Sequence, residues 1–290
     1  MAGEPNRAPM RVPALFLTMV LMFACLAGVQ AQDDSISYEA EIEQWCQGRL
    51  GWLTKPDGYL SLIGLHWLHE KPQTFQGIGE AHLDGQDVIL KLVDGVTVDG
   101  KPVTQYRVTP EMPRGTPDFH HGTSHFFVIR HGKKVAIRVK DPNSATLVNF
   151  AGVERFPVDR KWRVVGRFEA DKATIPVPSV IDEMTDEVSP GYAVFDWAGK
   201  THKLRLMGEE ADETYFLVFS DQTAGKTTYS GCRFLDVEKA EDGKLILDFN
   251  KSENPPCSMT PYATCPLPPK GNVLPFEVTA GEKTPPGSSH

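Results

Sequence analysis

Cys257 and Cys265 stand eight residues apart inside a run of prolines, Asn254-Pro255-Pro256-Cys257 followed by Tyr262-Ala263-Thr264-Cys265-Pro266-Leu267-Pro268-Pro269. Successive prolines fix an extended path that no central strand can use. The two thiols are therefore expected on a stiff loop that wraps a sheet, close enough to be bridged. In an oxidising compartment such a pair closes to a disulfide, worth ~2.5 kcal/mol in the chain-entropy description, and that bond is the expectation here. The alternative is a thiol nucleophile or redox pair at a pocket rim, which needs a base such as His66 or Asp248 beside it.

The segment ahead of this loop carries polar chemistry. Asp221-Gln222-Thr223-Ala224-Gly225-Lys226-Thr227-Thr228-Tyr229-Ser230-Gly231-Cys232-Arg233-Phe234-Leu235 reads as a strand, a glycine turn and a polar strand, and Leu247-Asp248-Phe249-Asn250 follows. Side chains alternate across a strand, so hydroxyls and a guanidinium fall on one face, and Asp248 shares a face with Asn250. Asp221, Thr228, Tyr229, Arg233, Asp248, Asn250 and Asn254 together form a candidate pocket that orients a small polar ligand. Arg233 has a second reading as a buried structural partner of Asp221 or Asp248, which is the commoner use of such a pair.

His120, His121, His125 and His131 crowd one predicted hairpin. On a strand His121 and His125 point to the same face, and two imidazoles there are weak candidates for a divalent metal, with Asp118 or Asp141 supplying a carboxylate. Two or three histidines without a fixed carboxylate are a poor signature, so no metal is expected, and nothing suggests an organic cofactor. No G-x-S-x-G elbow, H-E-x-x-H helix, Walker loop or paired C-x-x-C occurs. Gly77-Ile78-Gly79 opens a glycine fingerprint but ends it at His82, and His69-Glu70 runs into Pro72.

The elements that must position these residues are mostly strands. Tyr38 to Thr54 is the one good helix, with Ile42, Trp45, Cys46 and Leu50 near helical spacing. Leu60 to Leu68 is apolar and reads as a buried connector or short helix. Asp94-Gly95 between Val88–Val93 and Val96–Val98 is a hairpin signal, and Asp99-Gly100 is another, because glycine supplies the positive φ of the turn. Further hairpins are expected at Gly132 (125–130 with 135–139) and at Ala198-Gly199 (192–197 with 204–207). Strands are also expected at 215–219, 227–232, 245–249 and 273–278. Ser179 to Pro190 reads as an acidic surface loop. Many short strands without long helices between them predict a mainly β fold, an antiparallel sandwich or barrel-like sheet system with a short N-terminal helix.

Ahead of that domain, Arg7 and Arg11 precede an apolar run from Val12 to Ala24 and the small-residue stretch Ala27-Gly28-Val29-Gln30-Ala31. This is the pattern of a secretory signal peptide cleaved after Ala31. The run is too short for a membrane span, which needs ~20 apolar residues, and it carries Pro13. Cys25 offers a lipoprotein anchor as a minority alternative, on the poor lipobox Met22-Phe23-Ala24. The expected organisation is a cleaved signal over 1–31, a single β-rich domain over 32–283 and a disordered tail over 284–290, with export to the periplasm or beyond the cell. Cleavage removes Cys25 and leaves Cys46, Cys232, Cys257 and Cys265, an even set. The whole chain has a net charge of −8, and losing Arg7, Arg11 and Glu4 makes the remainder more acidic by one. Acidic balance without a Lys/Arg cluster argues against nucleic acid and anionic membranes as partners.

The runs from Asp221 to Lys283 resemble the bacterial family known as domain of unknown function 1684, above all in the Asn-Pro-Pro-Cys and Tyr-Ala-Thr-Cys-Pro-x-Pro-Pro pair and the closing Gly281-Glu282-Lys283. Weaker similarity extends to Gly58–Leu68, Phe127–Asp141 and Phe150–Phe168. Ser252-Glu253 stands where an Ala-Tyr pair is usual, and Cys232 where a small residue is usual, which removes Cys232 from any chemistry common to the family. The resemblance implies no activity, substrate or cofactor. The residues themselves leave three readings: a protein binding a small polar molecule or glycan, with Trp67, Trp162, Trp197 and Tyr229 available to stack on sugars; a hydrolase using a carboxylate, His or Cys; and a cell-envelope interaction module without a small-molecule site. The first is preferred.

Overall fold

The computed structural model describes residues 37–288 apart from 114 and 116. The expected signal peptide, its cleavage point and Cys25 lie outside the described residues. Tyr38 onward forms one compact unit.

Helix α1 (Tyr38–Leu53) occupies the predicted place. Tyr38, Ile42, Arg49 and Leu53 are its buried residues, spaced to share one side, and Glu39 and Glu41 in the first turn suit the positive end of the helix dipole. A single 3₁₀ turn (Tyr59–Ser61) then leads into strand β1 (Leu62–Trp67), so the apolar stretch read as a connector or short helix is a strand. The apolar run lacks the length of a helix, and β1 gains a full ladder along a later strand, which the local sequence does not reveal.

Next come β2 (Gln73–Phe75), β3 (Gly79–Asp84), β4 (Asp87–Leu92), β5 (Thr97–Val98), β6 (Lys101–Pro102) and β7 (Gln105–Val108). They are followed by β8 (Phe119–His121), β9 (Ser124–His131) and β10 (Lys134–Lys140). Two antiparallel sheets result, ordered β2-β3-β4-β7 and β1-β10-β9-β8-β5-β6. They share one core, in which Ile78, Val88 and Leu90 from the first pack with Phe119, Phe126, Val128 and Ile137 from the second. The hairpin expected at Asp94-Gly95 is not formed. Leu92 and Val96 both belong to this core, so the chain crosses from one sheet to the other there instead of doubling back. The Asp99-Gly100 turn is formed between β5 and β6, with φ of 51° and 72° at its two central residues, as a primed hairpin turn requires. The β9–β10 hairpin around Gly132 is also present, in regular register from Lys134↔His131 to Lys140↔His125.

The third sheet is ordered β13-β12-β11-β16-β15-β14. Its strands are β11 (Arg163–Pro178), β12 (Met184–Trp197), β13 (Lys200–Arg205), β14 (Thr214–Phe219), β15 (Arg233–Lys239) and β16 (Lys244–Asp248). The stretch 179–190, expected to be an acidic loop, is mostly strand: β12 begins at Met184 and pairs back along β11 from Pro178↔Met184 onward. Asp182, Asp186 and Glu187 are exposed and Glu183 is half-buried beside Lys134, while backbone pairing, which polarity does not report, satisfies the ladder. Two expected strands are absent. Around 227–232 the Thr223 carbonyl collects the N–H groups of Lys226, Thr227 and Thr228 in a tight turn, and β15 starts only at Arg233. Residues 273–278 bend at 275–276 and pass beside Ser220 and Gln222 with one isolated parallel bridge, Ser220↔Val273.

Among the described residues every strand pairing in the three sheets is antiparallel and none of the sheets closes on itself, so the fold is mainly β without a closed barrel. The core of the third sheet joins Trp162, Phe195, Leu217, Leu247 and Phe249 to Leu274, Val278 and Ala280 of the C-terminal segment. At the chain's end, Lys283 and Thr284 donate backbone hydrogen bonds to Glu154 and Thr227. Among the described residues no helix is long and apolar enough to cross a membrane.

Candidate functional site

The seven polar candidates do not converge on one pocket; they fall into three buried networks. Asp221 and Arg233 form the first. The Arg233 guanidinium donates from Nη2 to Asp221 Oδ2 at 2.6 Å, with both side chains about 1% exposed. It also donates to the carbonyls of Val278 and Ala280 and lies over the Phe219 ring. Asp221 Oδ1 accepts from the Thr223 N–H and hydroxyl and from the Val278 N–H, and Thr223 passes the chain of hydroxyls on to Thr228 at 2.7 Å. Arg233 is thus a strut that ties the C-terminal segment to β15. Burial draws its pKa down and Asp221 opposes that.

Asp248 and Asn250 form the second. Tyr38 Oη donates to Asp248 at 2.8 and 2.9 Å, and Asn250 Nδ2 reaches Tyr38 Oη, Asp248 and the Asp159 carbonyl. Burial first, then the adjacent Asp248 carboxylate, raise the Tyr38 hydroxyl far above its usual pKa, so it is held as a donor. This network fastens the start of α1 to the end of β16. Asn254 belongs to the third: its N–H donates to Glu282 Oε2 at 2.6 Å, its Nδ2 to the Lys283 carbonyl, and its carbonyl accepts from Arg49. Glu282 is fully buried between Arg49 (3.1 Å) and Arg155 (3.4 Å). Gly281, at φ +75°, lets the chain pass so close that a Cβ there would sit 2.5 Å from the Ser252 carbonyl oxygen.

Cys257 and Cys265 are adjacent, as the proline-rich loop predicts, but the expected disulfide is not formed: both are buried free thiols, as is Cys232, and Cys46 is a half-buried one. The Cys257 N–H donates to Cys265 Sγ at 3.3 Å, and Tyr229 Oη donates to Cys257 Sγ at 3.7 Å. The bond that Cys265 makes to Cys257 raises the Cys265 thiol far above its ordinary range, with burial adding to it, and the same bond draws Cys257 down. The bases considered from sequence are engaged elsewhere: Asp248 with Tyr38 and Asn250, His66 against the Phe75 ring.

The histidine cluster is a pairing of rings and one carboxylate. His121 and His125 are on different strands, β8 and β9, where His125 faces His120 and His121 faces Ser124. Asp118 accepts from His125 at 2.9 Å and lies 3.4 Å from His120. Asp141 is taken by Thr123 and Ser124. Among the described residues no group of three or more His, Cys, Asp or Glu is placed to hold a metal ion.

A cleft of about 900 Å³ lies elsewhere. One wall is the β9–β10 hairpin with Arg130, His131 and Arg138. Facing it are Met184 to Glu187 of β12 with Phe216 and Phe234. The proline-rich loop contributes Thr264 and Cys265, and Trp52 and Tyr59 stand at the rim. A neighbouring hollow of about 430 Å³ shares Trp52, Tyr59 and Arg138 and continues to Lys55 and Lys140. Arg138 is buried and donates to Thr264 Oγ1 at 3.1 Å. Arg130 Nη2 is buried with no hydrogen-bond partner among the described residues. Glu253, also in the cleft, is pushed up to about 7 by burial although Arg49 stands 3.1 Å away. Arg49 divides its charge between Glu253 and the fully buried Glu282, so desolvation prevails.

Of the residues singled out from sequence, Cys265 and His131 line this cleft, while the seven polar candidates, Cys257, His121 and His125 do not. Trp162 and Trp197, read as possible sugar platforms, stack on each other in the core, with Trp162 buried. Among the described residues the exposed aromatics are Trp52 and Tyr59. Sequence reasoning missed Arg130, Arg138 and Glu253; the features that set them apart are an arginine in each apolar strand of the Gly132 hairpin and Glu253 as a departure from the family pattern, and neither places them in one cleft. Chemically the cleft offers guanidinium groups suited to a carboxylate or phosphate, aromatic faces and one carboxyl able to exchange protons near neutrality.

An open, three-sheet antiparallel β protein with a polar and aromatic cleft is the class these observations define. The model of the family described as protein of unknown function (DUF1684) matches residues 148–283, the same family that the sequence resembles. The match covers the third sheet and the proline-rich loop, and does not include the weaker runs at 58–68 and 127–141. A solution NMR structure of an uncharacterized protein of Haloarcula marismortui is 29% identical over 47% of this chain and 78% of its own, with a TM-score of 0.39. No curated relative matches the chain.

Proposed function

We propose that the protein is exported and binds a small polar molecule carrying a carboxylate or phosphate, an acidic sugar or short acidic glycan among them, in the cleft between the β9–β10 hairpin and β12. The observation that carries this reading is the convergence of Arg130, Arg138 and the Trp52–Tyr59 rim on a volume of about 900 Å³. A cleft of that size suits a ligand of drug-like or disaccharide dimensions, and a buried guanidinium nitrogen without a partner gains most from an anion. Titration calorimetry of the purified chain against hexuronic acids, neutral hexoses and short acidic oligosaccharides tests it. Saturable binding of the acidic members, lost in Trp52→Ala and weakened tenfold or more in Arg130→Gln at unchanged melting temperature, is expected. No heat from any member, or equal binding by both variants, rejects the site. Export is tested by the intact mass of the protein recovered outside the cytoplasm, expected to begin at Gln32.

Glu253 favours a second reading as a hydrolase, because a carboxyl held near 7 in a cleft is suited to general acid–base work. Turnover of chromogenic glycosides or esters that is abolished in Glu253→Gln and has a pH limb near 7 would put this reading first. Binding without turnover in both forms keeps the first.

A further inference from the structure

We propose that Cys257 and Cys265 are a reactive dithiol that exchanges with small-molecule disulfides, Cys257 attacking and Cys265 resolving. Three features of the fold place this chemistry here. The sulfurs are neighbours on a proline-stiffened loop, with the Cys257 N–H on Cys265 Sγ at 3.3 Å. Cys257 Sγ accepts from the Tyr229 hydroxyl as well as from the Cys265 thiol, so a negative charge on that sulfur has two donors, while Cys265 keeps its proton. A cavity of about 330 Å³, lined by Tyr229, Gly231, Cys257 and Pro261, reaches the attacking sulfur, and Cys265 lies on the other side in the wall of the large cleft.

Cys257 and Cys265 are only 4% and 5% exposed. That enclosure restricts the partner to a disulfide small enough for the cavity and excludes one carried on another protein. In the first step the Cys257 thiolate attacks one sulfur of R–S–S–R, forming a Cys257–S–S–R mixed disulfide and releasing R–S⁻, which takes a proton from solvent. In the second, Cys265 attacks the Cys257 sulfur, its proton passes to the departing R–S⁻, and a Cys257–Cys265 disulfide forms. Two electrons leave the dithiol and two R–SH molecules result. Cys232 takes no part: its thiol is directed at the Pro266 carbonyl, and burial raises it well above its ordinary range. It serves as an internal control.

The test uses the full chain, reduced, freed of reductant and incubated with 2-hydroxyethyl disulfide. Thiols remaining after denaturation are alkylated, and the products are weighed and mapped. Expected is the loss of Cys257 and Cys265 as alkylatable thiols, with Cys46 and Cys232 retained and two hydrogens gone from the intact mass. Cys265→Ser accumulates one hydroxyethylthio adduct at Cys257. Cys257→Ser leaves Cys265 alkylatable. Tyr229→Phe slows the wild-type reaction severalfold at neutral pH. Retention of all thiols under conditions that oxidise free dithiothreitol overturns the proposal, as does an adduct at another cysteine in Cys265→Ser. Should the cysteine variants fail to fold, the peptide map of the oxidised wild type decides: a Cys257–Cys265 link supports the proposal, and any other pairing refutes it.

Discussion

Arg233→Met is the perturbation whose outcome the fold fixes most tightly. It leaves the Asp221 carboxylate, about 1% exposed, with its three uncharged donors and no counter-charge, and strips a donor from each of the Val278 and Ala280 carbonyls. Breaking a buried ion pair by removing one partner costs about 3–5 kcal/mol. With a urea dependence of ~3 kcal/mol/M, the upper end of the usual range for small proteins, the midpoint should fall by about 1–1.7 M. Urea unfolding followed by tryptophan fluorescence reads this directly, since Trp162 and Trp197 stack in the same sheet's core. Asp221→Asn should cost a similar amount. The double variant should cost less than the sum, by about 1–3 kcal/mol, because the two changes remove one shared interaction. A midpoint shift below about 0.3 M, equivalent to ~1 kcal/mol on the same dependence, would refute the strut reading. So would a loss of ligand response at unchanged stability, which would return Arg233 to a binding role.

Three further perturbations follow from the same contacts. Glu253 is held at about 7 against 4.5 for a free carboxyl, so between those values the folded chain keeps a proton that the unfolded chain has released. Its contribution to stability is complete below about pH 4.5 and lost as pH rises through about 7, up to ~3 kcal/mol in all. The difference in urea midpoint between wild type and Glu253→Gln should therefore change between about pH 5 and pH 8, and a constant difference rejects the assignment. Tyr38→Phe removes the donor to Asp248 and should cost about 1.5–3 kcal/mol, as for a hydrogen bond to a charged group; hydrogen exchange should show α1 loosening first. Gly281→Ala places a Cβ against the Ser252 carbonyl at positive φ and should cost at least about 2 kcal/mol, measurable as a fall in melting temperature.

Hairpins and the helix were readable because their causes are local. Asp99-Gly100, Gly132 and Ala198-Gly199 each supply a turn between alternating strands, and α1 announces itself by the spacing of Ile42 and its neighbours. What escaped was non-local. β1 looks like a short helix until β10 is there to pair with it, and 179–190 looks like a loop until β11 satisfies its backbone. Thr227 to Cys232 has strand composition, but the Thr223 carbonyl takes the N–H groups of Thr227 and Thr228 into a turn first. The candidate site divides the same way. The Asp221–Arg233 and Cys257–Cys265 partnerships were legible because their residues lie close in sequence. Arg130, Arg138, Trp52 and Glu253 meet only through the packing of distant segments, so their types alone could not mark a cleft.

The position of the family match bears on what the signature residues do. Asp221, Arg233, Asp248, Asn250, Asn254 and Glu282 are all within 148–283, and all are consumed in joining segments of the third sheet to one another and to α1. One wall of the large cleft comes from outside that stretch: Trp52, Tyr59, Arg130, His131, Gly132 and Arg138. A motif built of struts specifies a scaffold, and a ligand preference is then set by whichever segments are packed on it. Cys257 and Cys265 are the exception, since they lie within the matched stretch and border both cavities. If chemistry is shared by chains with this signature, it is therefore to be sought at the dithiol. Binding preference should follow the β9–β10 hairpin and the end of α1. Grafting Arg130, Arg138 and Trp52 onto a relative that lacks them should transfer the acidic-ligand response without changing its thiol reactivity. Transfer of both properties together would mean that the cleft and the dithiol are one site.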